Sequence, residues 1–327
     1  MPDRVLLTGA TGFVGSHIAR VLVEAGYGVL CGVRASSDLR WISGLPVERV
    51  PLDLEGGVED LSSPVRNADV VVHAAGITRA RRAEDYYSVN AEGTGKLATA
   101  ALGAGVRRFV LISSLAARGP DDLTKDGRDH PVSAYGRSKL EGEARLRPLD
   151  GEMETVALRP AAVYGPRDTD LLPLFKLARA GWLPIPSGPN LLQPVYATDV
   201  AGAALAAARE PAGFGPFPVA ESRRYTWEEV LTGLEKALGR RVRGVRLPAA
   251  AFTLSGRAAE LAARPLSAPL PVFDERRGRD LAVNTWTCDA SPTERALGWR
   301  AEVPLFEGLG RTARWYGQAG WLSMEHR

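Results

Sequence analysis

Arg4-Val5-Leu6-Leu7-Thr8-Gly9-Ala10-Thr11-Gly12-Phe13-Val14-Gly15 is the stretch that decides the fold. Its first four residues are a short apolar run that reads as a buried parallel strand. The glycines follow at once, spaced Gly9-x-x-Gly12-x-x-Gly15. Phe13, Val14, Ile18, Val21 and Leu22 then recur at helical spacing as far as Gly26. Glycine is required where a backbone turns tightly and where it approaches a pyrophosphate closely. The N-terminus of the helix that follows supplies N–H donors and a partial positive charge. The spacing differs by one residue from the G-x-G-x-x-G fingerprint. The segment predicts a dinucleotide site at Gly9, Thr11, Gly12, Phe13, Val14 and Gly15; glycines that serve only a tight turn are the alternative.

A second stretch, Ser133-Ala134-Tyr135-Gly136-Arg137-Ser138-Lys139, carries chemistry. A Tyr and a Lys four apart on a helix share one face. There the ammonium favours the phenolate and makes the phenol a usable general acid or base near neutrality. Tyr-x-x-x-Lys alone arises often by chance. Downstream of a glycine-rich strand–turn–helix, it points to a nicotinamide-dependent enzyme.

Further matches run in order along the chain: Asp53-Leu54 after the third strand, His73-Ala74-Ala75-Gly76 after the fourth, and Asn90 in the next helix. Ser113-Ser114 end the fifth strand, and Arg159-Pro160 and Tyr164-Gly165-Pro166 follow the Tyr/Lys pair. With these residues the chain resembles the extended short-chain dehydrogenase/reductases, the broad family of NAD(P)-dependent epimerases, dehydratases and reductases. The resemblance is specific for the superfamily and much less so for any one reaction. It implies a catalytic set of Ser114, Tyr135 and Lys139, with Ser113 as the second choice for the serine. It also implies that cofactor contacts extend from the glycine turn to Arg34, Asp53, Leu54, Ala74, Ala75, Gly76, Asn90, Ser113, Tyr135, Lys139, Pro160 and Val163. His73, a histidine without partners in the sequence, reads as structural rather than as a ligand or acid–base group.

A chain of 327 residues can bury a substantial core in one large domain or two. Its formal net charge of +3 gives no argument for nucleic acid, and its basic residues, almost all arginine, read as genomic base composition and solvated surface. Two cysteines, Cys31 and Cys288, make neither a disulfide framework nor a metal cluster, so no metal is expected. No signal peptide precedes the first strand and no apolar run reaches about 18 residues, which predicts a soluble cytoplasmic protein without a membrane span.

Strands are predicted at 3–8, 28–33, 47–51, 69–74, 107–113 and 154–160, with helices between most of them. The fold class is α/β: right-handed crossovers give a doubly wound parallel sheet, a Rossmann fold over residues 1–160. Residues 161–327 read as a smaller substrate-binding lobe intertwined with it. Helical stretches there, near 170–180, 198–209, 226–238 and 248–263, are separated by loops such as Leu183-Pro184-Ile185-Pro186-Ser187-Gly188-Pro189. Helices 84–104 and 133–147 should flank one side of the sheet. In relatives such helices pair across a two-fold axis, so a homodimer is expected, although Arg137, Glu141 and Arg145 charge the outer face of the second.

The second strand bears on the cofactor's phosphate state. NAD-preferring relatives place an acid at its end; here it ends Cys31-Gly32-Val33-Arg34, followed by Ala35-Ser36-Ser37. A guanidinium there can pair with a 2′-phosphate, which an acid would repel. NADP(H) is therefore expected; NAD(H), with Arg34 stacked on the adenine, is the alternative.

Departures from the family narrow the reaction. Leu115-Ala116 stand where sugar-nucleotide dehydratases carry Asp-Glu, and Leu192-Gln193 where epimerases carry the Arg-Asp pair whose arginine grips a diphosphate. An apolar set in the lobe (Leu171, Leu172, Leu174, Phe175, Trp182, Leu191 and Leu192) suits a hydrophobic small-molecule substrate, though much of it must be core. Phe252, Leu254, Ala258, Ala259, Leu261 and Ala262 could add an apolar wall. The loop Thr78-Arg79-Ala80-Arg81-Arg82 reads as a solvated charged loop or as a grip on an anion. These features predict a carbonyl reductase or alcohol dehydrogenase, nearer the dihydroflavonol-reductase and hydroxysteroid-dehydrogenase branches. The alternatives are an NDP-sugar epimerase with retained NAD and a non-catalytic dinucleotide-binding accessory subunit, which Gln193-Pro194-Val195-Tyr196 resembles.

Overall fold

The computed structural model describes residues 3–121, 123–188, 190–263 and 285–323. Pro189, quoted above in the proline-rich loop, lies outside the described residues. The six strands expected from the sequence form at β1 (Arg4–Thr8), β2 (Gly28–Val33), β3 (Glu48–Pro51), β4 (Val70–His73), β5 (Arg108–Ile112) and β6 (Glu154–Pro160). A seventh strand, Phe217–Val219, joins them in the order Phe217–Val219, β6, β5, β4, β1, β2, β3, with every pairing parallel. Because crossovers between parallel strands place helices on both faces, the sheet is buried on both sides, and its side chains alternate between two cores. Val5, Leu7, Val70, Val72, Val110 and Ile112 enter one core cluster; Leu6, Val71, Phe109 and Leu111 enter the other.

Strand order reverses between β1 and β4. The crevice at the carboxyl ends of these two strands is the switch point at which open α/β sheets bind ligands. Helix α1 (Phe13–Glu24) leaves β1 there and packs against the helix Ala197–Arg209 on one face, while α2 (Val58–Val65) and α4 (Thr94–Gly103) pack together on the other. The helix read over 84–104 is three pieces: α3 (Ala83–Tyr87), a π-helical turn at Ser88–Gly93, and α4. The expected helix at 133–147 is α5 (Ala134–Leu146), beside α4.

The lobe has its own core around Tyr164, Phe175, Tyr225, Leu234 and Tyr316. Its helices include Leu172–Ala180, Trp227–Leu238 and Leu305–Gln318. The second of these starts with a capping box in which Thr226 and Glu229 satisfy each other's backbone N–H groups. Indole contacts between Trp41, which follows β2, and Trp315 and Trp321 of the lobe join the two parts, at centroid separations of 5.7 and 6.4 Å. Among the described residues no helix is long and apolar enough to cross a membrane.

Candidate active site

The glycine turn occupies the carboxyl end of β1. Gly9 has φ 72°, the left-handed region, and a Cβ on it would lie 2.6 Å from the Ala74 carbonyl carbon and the Ala75 nitrogen. At Gly15 a Cβ would overlap the carbonyl oxygen of Gly9. These two contacts bring α1 and the loop after β4 onto the turn. Gly12 caps α1 without a side-chain hydrogen bond, and the first turn holds no acid. The helix thus offers its first N–H groups and its dipole to an anion, which is what a dinucleotide's pyrophosphate requires.

His73 ties this corner together. Thr94 Oγ1 donates to the Asn90 carbonyl (2.8 Å) and so accepts from His73 Nε2 (3.0 Å). Nδ1 then accepts from Thr8 Oγ1 (2.6 Å), which in turn accepts from the Ala75 N–H (3.2 Å). Every proton in the chain is accounted for, and the imidazole is neutral with its hydrogen on Nε2. Complete burial, with a smaller effect from the Lys139 charge, pushes its pKa down to about 3. The ring is a structural brace between the glycine turn and the helix bearing Asn90. Among the described residues no cluster could hold a metal.

Tyr135 and Lys139 lie on α5, whose first turn is capped by Ser133 Oγ accepting from the Gly136 N–H at 3.1 Å. Lys139 is buried, and its Nζ donates to the Ile112 carbonyl at 3.0 Å, at the end of β5. Burial brings its pKa down to about 8, and the Glu143 charge opposes that shift. Tyr135 packs edge-on against Tyr86, with centroids 6.1 Å apart, and the Tyr86 hydroxyl accepts from the Ala80 N–H at 3.1 Å. Asn90 accepts from the Ile77 N–H (2.9 Å) and donates to the Ile77 carbonyl (3.0 Å) and to Ser138 Oγ (3.0 Å). It therefore closes the loop after β4 onto α5 from a π-turn, a geometry frequent at functional sites. A Cβ on exposed Gly76 would meet Asn90 Oδ1 at 2.8 Å and Lys139 Nζ at 3.1 Å, so the two side chains meet at that glycine.

The two candidate serines have different surroundings. Ser113 Oγ is buried and donates to Glu143 Oε1 at 2.5 Å. Ser114 is half-buried, caps the short 3-10 turn Leu115–Ala117 by accepting from the Ala116 N–H (3.1 Å), and keeps its hydroxyl proton for donation. Two glycines of α5 bring this segment and Asn90 close. A Cβ at Gly136 would overlap the Ala116 carbonyl oxygen, and one at Gly142 would lie 2.5 Å from the Asn90 carbonyl oxygen.

Behind the serines is a buried charge network. Arg159 donates from Nε and NH2 to the Glu143 carboxylate (2.9 and 2.6 Å) and from NH1 and NH2 to Asp129 (2.7 Å each). Burial works against the guanidinium charge, but both carboxylates more than offset it and the group stays protonated.

The other expected cofactor residues ring the switch point. Arg34 is exposed at the end of β2, where Ser37 Oγ accepts from its backbone N–H at 3.0 Å; Asp38 pairs instead with Arg40. Asp53 is exposed and accepts from the Glu55 N–H at 3.1 Å, while buried Leu54 packs against Gly93 of the π-turn. Pro160 is the buried last residue of β6 and Val163 begins the next short strand, Val163–Tyr164. In the loop 78–82 Arg79 pairs with Asp170 (2.8 Å) and Arg82 with Asp85 (2.6 Å), so the structure gives these two arginines acidic partners.

Gln193 is buried and structural: its amide donates to the Glu221 carbonyl (2.6 Å) and accepts from the Cys288 N–H (2.7 Å). Of the apolar lobe residues, Phe175 is fully buried, and Leu171, Leu172, Leu174 and Leu192 pack against the lobe core, whereas Trp182 is 44% exposed. In the suggested wall Phe252 is buried and Leu254 is 65% exposed, so these two do not share an inward face; the side chains of Leu261 and Ala262 are not among those described. Tyr86, Glu143 and the Glu143–Arg159 pairing were not signalled by the sequence as parts of this site.

A parallel sheet with a glycine turn at its switch point, beside a buried Tyr-x-x-x-Lys helix, defines a dinucleotide-dependent enzyme. Comparison specifies which. Residues 5–218 match the model of the NAD dependent epimerase/dehydratase family, and the chain belongs to that family. It is similar to a ceramide reductase of Caulobacter vibrioides, at 35% identity over 97% of this chain and 96% of that protein. It is also similar to a UDP-glucose 4-epimerase of Vibrio cholerae, at 30% identity over 98% and 97%. Among solved structures it shares the fold of MoeE5 in complex with UDP-glucuronic acid and NAD, with TM-score 0.76, 23% identity, and coverage of 97% of this chain and 100% of the other. The protein is an NAD(P)-dependent oxidoreductase of the extended short-chain dehydrogenase/reductase type.

Proposed function

We propose that the protein interconverts a ketone and a secondary alcohol on a large apolar substrate, with NADP(H) as the exchangeable partner. The observation that carries the reading is the buried Gln193, tied to Glu221 and Cys288 in the place where epimerases of the family set their diphosphate-gripping pair, with Leu192 beside it. A nucleotide sugar would find no guanidinium from these two positions. Two relatives support an apolar substrate by name: the ceramide reductase, and a ketoreductase of a farnesyl-bearing quinoline oxide from Stigmatella aurantiaca, 27% identical over 99% of this chain and of that protein.

The glycine turn, the uncapped start of α1 and the Gly76 corner fit a dinucleotide. A bound nicotinamide would supply hydride to the substrate carbon or accept it. The chain's own residues would handle the oxygen and its proton. Tyr135 holds the proton at its phenol oxygen and gives it to the substrate oxygen as a ketone becomes an alcohol. Ser114 donates a second hydrogen bond to the same oxygen. Lys139, charged and one helical turn from Tyr135, favours the phenolate and would hold the nicotinamide ribose of a bound cofactor. Asn90 holds the loop Ala74–Ile77 in place. A mixture of long-chain ketones, including the ketone that corresponds to a ceramide alcohol, should consume NADPH absorbance, whereas UDP-, GDP- and dTDP-sugars should not. A product assay that finds epimerised nucleotide sugar, which shows no net absorbance change, would overturn this reading in favour of a retained-NAD epimerase.

Arg34 supports the choice of NADP(H). It stands exposed at the end of β2, and no acid from that turn is left facing it, because Asp38 is paired with Arg40. Arg34→Ala should narrow the NADP(H)-over-NAD(H) preference by about 1–3 kcal/mol, the range of a charged hydrogen bond. Equal affinities in the parent protein, by fluorescence titration, would refute it. We also propose a homodimer through α4 and α5, although Arg137 and the Glu141–Arg145 pair keep the outer face of α5 charged.

A further inference from the structure

We propose that Glu143 is a positioning residue of the Tyr135/Lys139 centre: it keeps Lys139 charged and locks the end of β5 against the helix that carries both. The reading of Tyr135 and Lys139 as the reacting pair underlies this inference. Tyr135, Lys139 and Glu143 follow one another at intervals of four and so stack along a single face of α5. That face is turned inward: Lys139 and Glu143 are 6% and 2% exposed. An ammonium buried this deeply, with one carbonyl acceptor from Ile112, tends to lose its proton. Glu143, one turn along, is the charge that opposes this loss.

Geometry holds that carboxylate where it acts. Ser113 Oγ of the β5 end donates to Oε1, and Arg159 of β6 grips both oxygens. Three hydrogen bonds from two partners thereby fix the register between the strand end bearing Ser114 and the helix bearing Tyr135. Asp129, 32% exposed, takes the outer side of the Arg159 guanidinium, so Arg159 is shared between two acids and does not cancel Glu143 alone. Among the described residues, the other titratable groups facing Lys139 are Tyr135 on its own helix and His73 of β4, which is neutral. Glu143 is thus the negative charge that opposes deprotonation of Lys139, with Arg159 and Asp129 paired behind it.

The chain has only five lysines, Lys96, Lys125, Lys139, Lys176 and Lys236, so amine resonances of lysine-labelled protein can be assigned one by one. In the cofactor-free parent the Lys139 amine should titrate near pH 8, below the ordinary lysine value. In Glu143→Gln its midpoint should fall by about one pH unit or more while the other four stay in place. Glu143→Gln leaves Arg159 with less compensation, so a second variant guards against a folding failure. Glu143→Met/Arg159→Met removes both charges of the buried pair and leaves only one charge without its partner, that of Asp129, which is 32% exposed and can be solvated; there too the Lys139 midpoint should fall. A Lys139 midpoint equal to the parent's in whichever variant folds would overturn the proposal. Because the readout needs neither substrate nor cofactor, it stands or falls separately from the assigned reaction. Where turnover is measurable, kcat of Glu143→Gln should be lost on a shifted pH profile with KM little changed, a split that general loosening of the fold would not produce.

Discussion

Tyr135→Phe should lower hydride transfer by about 10²–10⁴-fold, the contribution typical of a positioned general acid–base group, while leaving cofactor affinity nearly unchanged. The separation of the two effects follows from packing. The ring of Tyr135 rests edge-on against Tyr86, and phenylalanine keeps that contact, since the hydroxyl alone is removed. Lys139→Ala should damage both quantities, because it deletes a buried side chain that anchors on the Ile112 carbonyl and meets Asn90 at Gly76. Single-turnover kinetics with a reduced nicotinamide, alongside a fluorescence titration of the same variants, separate chemistry from binding. Turnover of Tyr135→Phe within a few-fold of the parent would remove Tyr135 from the chemistry. Retained cofactor binding without any turnover in the parent, on a broad ketone screen, would favour an accessory subunit that only holds a dinucleotide.

Gly15→Ala should be more damaging than its single added methyl suggests, costing about 3 kcal/mol of stability, the upper part of the range for overpacking, and most of the cofactor affinity. The new Cβ would overlap the Gly9 carbonyl oxygen, which is backbone and cannot swing aside. Nor can α1 retreat, because Ile18, Ala19 and Leu22 are fully buried in the sheet's core cluster. The turn itself must open, and with it the N–H groups that would face a pyrophosphate. Gly103→Ala, at the end of α4 with nothing within 4 Å of the added carbon, is the matched control and should be neutral or slightly stabilising. Urea denaturation and cofactor titration of the pair decide it; parent-like binding by Gly15→Ala would show that the turn is not a tight cradle.

Much of this architecture is legible in the sequence, for a physical reason. Parallel strands buried on both faces are continuous apolar runs, and the six read from such runs agree with the structure to within a residue or so at each end. The seventh, Phe217–Val219, is three residues with a proline in the middle and joins only the edge of the sheet, so no run announces it. The π-turn at Ser88–Gly93 inserts into a helix without altering its composition, and an apolar period cannot reveal it. Glu143 was hidden for a related reason: between Glu141 and Arg145 it reads as one more charge on a solvated face. The fold sends Glu141 and Arg145 outward as a surface pair and turns Glu143 inward to Ser113 and Arg159. Which of two neighbouring acids is buried depends on β6 supplying an arginine, information that lies 16 residues away.

The close contacts of α5 divide the molecule into a part that can drift and a part that cannot. At Gly136 and Gly142 the helix touches the backbone of the serine segment and of the π-turn directly, with no side chain between them to be resized. The groups proposed to react are therefore set by main chain against main chain, where ordinary substitution has little to act on. The lobe, by contrast, packs its own core with replaceable side chains such as Leu171, Leu172 and Leu192. If the lobe binds the substrate as proposed, a lineage, or an engineer, can exchange one substrate for another by altering the lobe alone, and inherit the arrangement around α5 unchanged.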